Sequence, residues 1–320
     1  MRHALLFLLL LVPGLNGSAS PDAVEAPTGA PGVELDVPTW DADADDAPPT
    51  RLHIEPPSVG LPTRQTETYV ADPADRQFVP PRLADLPDDA YGALVRHGRN
   101  LFVETQTYAQ RYVGNGLNCT SCHLSEGRMN GAAPLWAGYP LYPLYRGKNL
   151  RANMFEDRIA ECFRYSMDGT APTRDSQEML ALVAYSQWLS TNAPTRAIMA
   201  ARGFPGVSAP REASHGRGKI VYQTQCAICH GKNGEGVKRA DGVGYQFPPL
   251  WGLASYASGA GMNKLATGAA FIRANMPLGK RNSLSPQQAM DVAFYLQIQT
   301  RPWDPRVGWF SIVIEGPADG

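Results

Sequence analysis

Two pentapeptides in this chain, Cys119-Thr120-Ser121-Cys122-His123 and Cys226-Ala227-Ile228-Cys229-His230, share the pattern Cys-x-x-Cys-His. Thiols at this spacing can add across the two vinyl groups of a porphyrin, and the adjacent His reaches the iron as proximal ligand. This is the attachment pattern of haem c. A zinc site would not need His directly after each second Cys. A thioredoxin-like pair would sit in a βαβ pattern, which the chain lacks. The spacing predicts two covalently bound haem c groups, one on Cys119, Cys122 and His123, the other on Cys226, Cys229 and His230.

The second axial ligand sets what each haem does. For the second haem the chain offers Met276, in Ala274-Asn275-Met276-Pro277, with Met262 next. A Met-Pro step ahead of a closing helix is the usual distal arrangement of a class I cytochrome c. A packing methionine is the alternative. Thioether ligation raises the potential, so this haem is expected to be the better electron acceptor. The first motif has no such Met-Pro step. The corresponding stretch, Arg158 to Gly169, holds Cys162, the one cysteine outside the motifs, with no other to pair with. It is either a buried inert thiol or a soft donor to iron. Met154, Met167 and His97 compete for the same role.

Elements must position these groups. Tyr91, Leu94, Val95, Gly98, Leu101 and Phe102 mark one helical stripe before the first motif, and Gly218 to Tyr222 lead into the second. Each motif is followed by Pro-Leu-Trp (134–136 and 249–251) and an amphipathic helix (176–189 and 285–299). The two haem histidines, and Val183 and Val292 of the closing helices, are offset alike to within two residues. This is one pattern used twice. It predicts a mainly α protein of two tandem class I cytochrome c-like domains, with first and last helices packed beside each haem. The Pro-Leu-Trp region is expected to offer a carbonyl to the proximal imidazole.

Arg2 and His3, the apolar run Ala4 to Val12 and small residues to Ala19 read as a secretory signal peptide over 1–19. Residues 20–57 are rich in Pro, Asp and Ala and read as a disordered linker. The first, catalytic domain is expected over 58–191, a linker over 192–213, the electron-transfer domain over 214–305 and a tail over 306–320. No later segment is apolar and long enough to span a membrane. A net charge of −1 argues against nucleic-acid binding. Haem c attachment outside the cytoplasm predicts a periplasmic protein.

From Tyr112 to Leu189 the chain resembles the bacterial thiosulfate dehydrogenases, which are dihaem cytochromes c. The shared words are Tyr112 to Asn118, Ala133 to Trp136, Tyr142 to Arg146 with Lys148 and Asn149, Asp157 to Phe163, and Ser166-Met167. Weaker similarity continues to Met276. The resemblance implies His123 and Cys162 as ligands of a catalytic haem, and His230 with Met276 at the second. Some members place Lys before that Met; here the residue is Asn275. Arg146, Lys148, Arg151, Arg158 and Arg164 crowd the approach to Cys162, and guanidinium forks suit oxyanions. If this stretch is helical, Arg158, Cys162 and Ser166 share a face. The resemblance assigns substrate-site roles to Arg158 and Ser166, with Arg151 a third candidate.

These readings predict an enzyme that joins two thiosulfates into tetrathionate and passes two electrons to an external acceptor, such as a small cytochrome c or another periplasmic carrier. The reverse reaction would use the same site. The alternatives are a non-catalytic dihaem electron carrier and a haem-thiolate sulfur enzyme that needs a sulfur-carrying partner. A dihaem peroxidase fits less well, because its peroxide site would be open or His-ligated.

Overall fold

The computed structural model describes residues 78–147 and 150–307. The expected signal peptide, the Pro/Asp-rich segment, the first part of the catalytic domain, Lys148 and most of the tail lie outside the described residues.

Seven longer helices carry the fold: α1 (Ala90–Val103), α2 (Phe155–Tyr165), α3 (Gln177–Leu189), α4 (Thr195–Ala201), α5 (His215–Val221), α6 (Leu265–Asn275) and α7 (Pro286–Gln297). Short polar residues start several of them by taking up an orphan backbone N–H. Asp89 accepts from Gly92 N at 2.8 Å, Ser176 from Met179 N at 3.2 Å, and Ser214 from Arg217 N at 3.4 Å. At α7, Ser285 and Gln288 form a reciprocal capping box with Pro286 in the first turn. Two small antiparallel hairpins complete the structure: β1 (Leu144–Arg146) with β2 (Arg151–Asn153), and β3 (Val237–Lys238) with β4 (Tyr245–Phe247).

The described residues are mainly helical and form two domains built alike. In the first, α1 crosses α3 over a core that includes Val95, Leu101, Phe102, Trp136, Leu182, Tyr185 and Leu189. In the second, α5 crosses α7 over Val221, Tyr222, Ala269, Val292 and Leu296. Each crossing is set by a glycine in the first helix. A Cβ at Gly98 would lie 1.9 Å from the Ala181 carbonyl oxygen, and one at Gly218 would lie 2.0 Å from that of Asp291. Both obstacles are backbone, so neither can swing aside. Gly98→Ala is expected to cost about 2–3 kcal/mol as overpacking, lowering the holo-protein Tm by roughly 5–10 °C. A far-UV melt showing less than about 2 °C would mean the helices part freely.

The expected linker over 192–213 carries α4. Ala197 and Ile198 bury into the first core, and Phe204 meets Phe271 of the second domain edge-on at 5.5 Å. The connection is therefore packed. The domains also meet directly within one compact unit. Leu117, Met167, Tyr256 and Ala260 form a small apolar cluster from both. Asn115 Nδ2 donates to the carbonyls of Ser166 (2.8 Å) and Ser255 (3.0 Å). Arg239 pairs with Glu104 across the same boundary at 2.8 Å.

Candidate haem centres

Each Cys-x-x-Cys-His motif opens onto its own cavity. The first, of ≈ 390 Å³, takes Cys119, Cys122 and His123 on one side. Its walls are mostly apolar and include Phe102, Leu135, Leu141, Phe155, Ile159 and Phe163. The second, of ≈ 230 Å³, takes Cys226, Cys229 and His230, with Phe247, Leu250, Phe271 and Val292 around them. The two cavities share a wall of Leu117, Asn118, Cys122 and Met262.

Both histidines are oriented by the backbone carbonyl of the residue just ahead of Pro-Leu-Trp. His123 Nδ1 donates to Ala133 O at 2.7 Å and His230 Nδ1 to Pro248 O at 2.8 Å. A carbonyl can only accept, so in each ring Nδ1 carries the proton and Nε2 is left as a lone-pair donor. Two thiols, an imidazole Nε2 and an apolar enclosure in one cavity are the donor set and setting that haem c requires. The residues fit the group at both sites.

The distal side of the first cavity is built by α2. Asp157 accepts from Met154 N at 2.8 Å and starts the helix. Phe155 and Phe163 anchor it in the domain. The same pitch aligns Arg158, Cys162 and the C-cap Ser166, and all three line the first cavity. Arg158 Nη1 lies 3.1 Å from Cys162 Sγ. Glu161 lies 2.6 Å from Arg146 and 3.8 Å from Arg158. Among the described residues, the charge directly beside the thiol is the Arg158 guanidinium.

The three cysteines of this cavity differ in acidity. Burial pushes the Cys119 and Cys122 thiols up to about 12. Burial also pushes Cys162 up, but the Arg158 charge beside it pulls the other way, and the thiol comes down to about 7. Cys162 is thus the thiol set up to be a thiolate, the form that binds metal.

The other candidates distribute differently. Met167 lines the first cavity but is buried in the inter-domain cluster. Met154 is exposed, and neither it nor His97 borders the cavity. Arg151 sits on β2, exposed, 3.5 Å from Asp157 and away from the cavity lining. In the second cavity, Met276 and Met262 both border the space, with Met276 at the C-cap of α6. Sequence reasoning missed Arg202, which lines the first cavity from the segment taken as linker. No local pattern marks it, because only the return of α4 along the first domain brings it to the site. Met262 was weighed only as a ligand, yet it borders both cavities.

Two helical domains, each presenting an attachment motif to its own cavity, define a two-domain dihaem c-type cytochrome. The family model described as SoxA/TsdA, cytochrome c domain, matches residues 105–195, and that described as Cytochrome c matches residues 216–299. The thiosulfate dehydrogenase of Stutzerimonas stutzeri (strain A1501) is 52% identical over 231 residues, covering 72% of this chain and 75% of that one. That of Thiomonas intermedia (strain K12) is 46% identical over 243 residues, covering 76% and 77%. Among solved structures, the thiosulfate dehydrogenase (TsdBA) from Marichromatium purpuratum, in its "as isolated" form, superposes with a TM-score of 0.68 at 42% identity. That match covers 73% of this chain and 51% of the solved one, so the chain spans about half the length of that relative. The chain belongs to the thiosulfate dehydrogenase family.

Proposed function

We propose that this protein oxidises two thiosulfate dianions to one tetrathionate dianion, releasing two electrons, with catalysis at the first haem site. The observation that carries this reading is the Arg158–Cys162 pair at 3.1 Å, in one cavity with the proximal His123. An electron carrier has no need of an arginine-backed thiolate on its distal side.

Bound haem supplies a one-electron acceptor in each domain, which matches a two-electron reaction. The residues of the chain do the rest. Joining two dianions brings like charges together, and Arg158 offsets that repulsion where the sulfurs must meet. Ser166, one turn beyond Cys162 on the same face, offers a hydroxyl donor to a substrate oxygen. Apolar walls limit the water around both groups and so strengthen both interactions. His123 and Cys162 would hold the iron of a haem in the first cavity, and His230 and Met276 that of a haem in the second. The shared wall keeps the sites adjacent, so a haem held in the second would be placed to pass electrons on to an external acceptor, such as a small cytochrome c. The same site serves tetrathionate reduction, with direction set by the potentials. The location that suits haem c and this chemistry is the periplasm. Among the described residues no helix is long and apolar enough to cross a membrane.

The test is an assay on fully haem-loaded protein with thiosulfate alone and an artificial one-electron acceptor. Tetrathionate forming at one molecule per two electrons accepted is the expected result. Absence of turnover in both directions would leave an electron carrier. Turnover only with an added sulfur-carrying protein would favour the partner-dependent enzyme.

A further inference from the structure

The proximal side of the first haem site and the distal side of the second are built from one packed unit. The loop Asn130 to Ala133 ends at the carbonyl that holds His123 Nδ1. That loop belongs to the first domain by sequence, yet Ala132 is wholly buried in the second domain's core, with Leu124 and Met129 packed alongside. Asn275 lies directly over it. Its Nδ2 donates to Gly131 O at 2.7 Å and to Phe271 O, one turn back in α6, at 3.0 Å. Arg281 adds a second tie, with Nε on Ala274 O at 3.1 Å and Nη2 on Asn130 O. Asn275 is followed at once by Met276.

The loop has little freedom to absorb a displacement. Gly131 has φ +79 and Ala133 φ +48, a left-handed conformation unusual for a residue with a Cβ. Ala133 N donates to Gly203 O at 2.9 Å, and Ala132 N to Met129 O at 3.1 Å. A Cβ at Gly131 would lie 3.2 Å from Arg281 Nη2 and 3.6 Å from Ala274 Cβ. The Asn275 side chain is fully buried, and its Oδ1 accepts no hydrogen bond among the described residues. A buried polar group that leaves one atom unsatisfied is a cost to stability. What the buried amide contributes is its donor side, which holds the Gly131 and Phe271 carbonyls.

We propose that Asn275 is a positioning residue that couples the distal ligand of the second haem to the proximal hydrogen bond of the first. A displacement of Met276 moves Asn275, Asn275 moves the Gly131 carbonyl, and the pinned loop passes the shift to the Ala133 carbonyl. The strength of the His123 Nδ1–H···O bond sets the basicity of that imidazole and so the potential of its iron. The two haems then influence each other through the protein as well as through charge. This inference rests on the dihaem reading given under Proposed function, with Met276 as distal ligand.

The experiment uses the full-length holo-protein and two variants, Asn275→Ala and Arg281→Gln. Arg281 is exposed, so its replacement leaves the core intact if Asn275→Ala folds poorly. The readouts are the electron paramagnetic resonance g-values and the midpoint potential of the first haem. Both variants are expected to change the g-values and shift that midpoint beyond titration error, although both residues lie in the other domain. A first-haem signal and midpoint identical to wild type in both variants would overturn the coupling, even if the second haem responds. Thiosulfate turnover and a thiolate-type signal in the wild type report on the functional reading. The change between wild type and variant reports on the coupling, so each fails independently.

Discussion

Cys162→Gly protein is expected to retain both haems and lose thiosulfate oxidation by at least ~10³-fold, the scale of removing one essential member of a catalytic set. On the proposed assignment attachment would use Cys119, Cys122 and His123 for the first haem and Cys226, Cys229 and His230 for the second, none of which the substitution touches. Folding survives as well. Cys162 is one residue of an 11-residue helix anchored by Phe155 and Phe163, and glycine in a helix interior costs about 1 kcal/mol. What disappears is the one thiol in the cavity that the adjacent Arg158 charge draws down, to about 7. The check is tetrathionate quantified per haem, beside a pyridine haemochrome measurement confirming two haems per chain. A variant keeping more than about a tenth of wild-type activity would make Cys162 a packing thiol and would favour the electron carrier.

Arg158→Gln is expected to lower kcat/KM for thiosulfate by about 10–100-fold, mostly through KM, somewhat below the loss seen when a fully enclosed oxyanion donor is removed. The reduction relative to an enclosed donor follows from geometry, because the Arg158 side chain is 38% exposed and water screens part of its charge. Glutamine keeps much of the length but removes the charge beside two dianions. Arg158→Lys is expected to recover part of the loss, since it restores the charge without the planar fork. The glutamine defect should also shrink relative to wild type as salt rises, because salt screens the interaction that wild type still has. Steady-state kinetics at two ionic strengths separates these effects. Equal kcat/KM for wild type and Arg158→Gln would remove Arg158 from substrate recognition and shift attention to Arg202, which also borders the cavity.

The haem attachment residues were legible in the sequence because their chemistry is local. Two thiols and an imidazole must sit on consecutive turns of one chain segment, so spacing alone encodes them. The pairing of helices was legible for a similar reason. Apolar stripes recur in register in both copies, and Gly98 and Gly218 fall where the helices cross. The helical alignment of Arg158, Cys162 and Ser166 followed from a spacing of four and eight residues. Arg151 shows the limit of such reasoning. It is close to Arg158 in sequence, but a hairpin carries it to Asp157 and away from the cavity.

What the sequence by itself determined was the number of haems, the helical class of each domain, and the attachment motifs and short list of distal candidates from which the ligands are proposed. Only the tertiary structure decided which candidates reach a cavity. It brought Arg202 back to the first site, left Met154 at the surface and sank Met167 into the domain boundary. It also decided that the two sites share a wall and that Asn275 reaches the loop behind His123. The physical reason is range. Covalent attachment and helical pitch act over a few residues and leave a periodic trace. Contacts such as Asn275 to Gly131 span 144 residues and depend on how two cores pack, which no local pattern records.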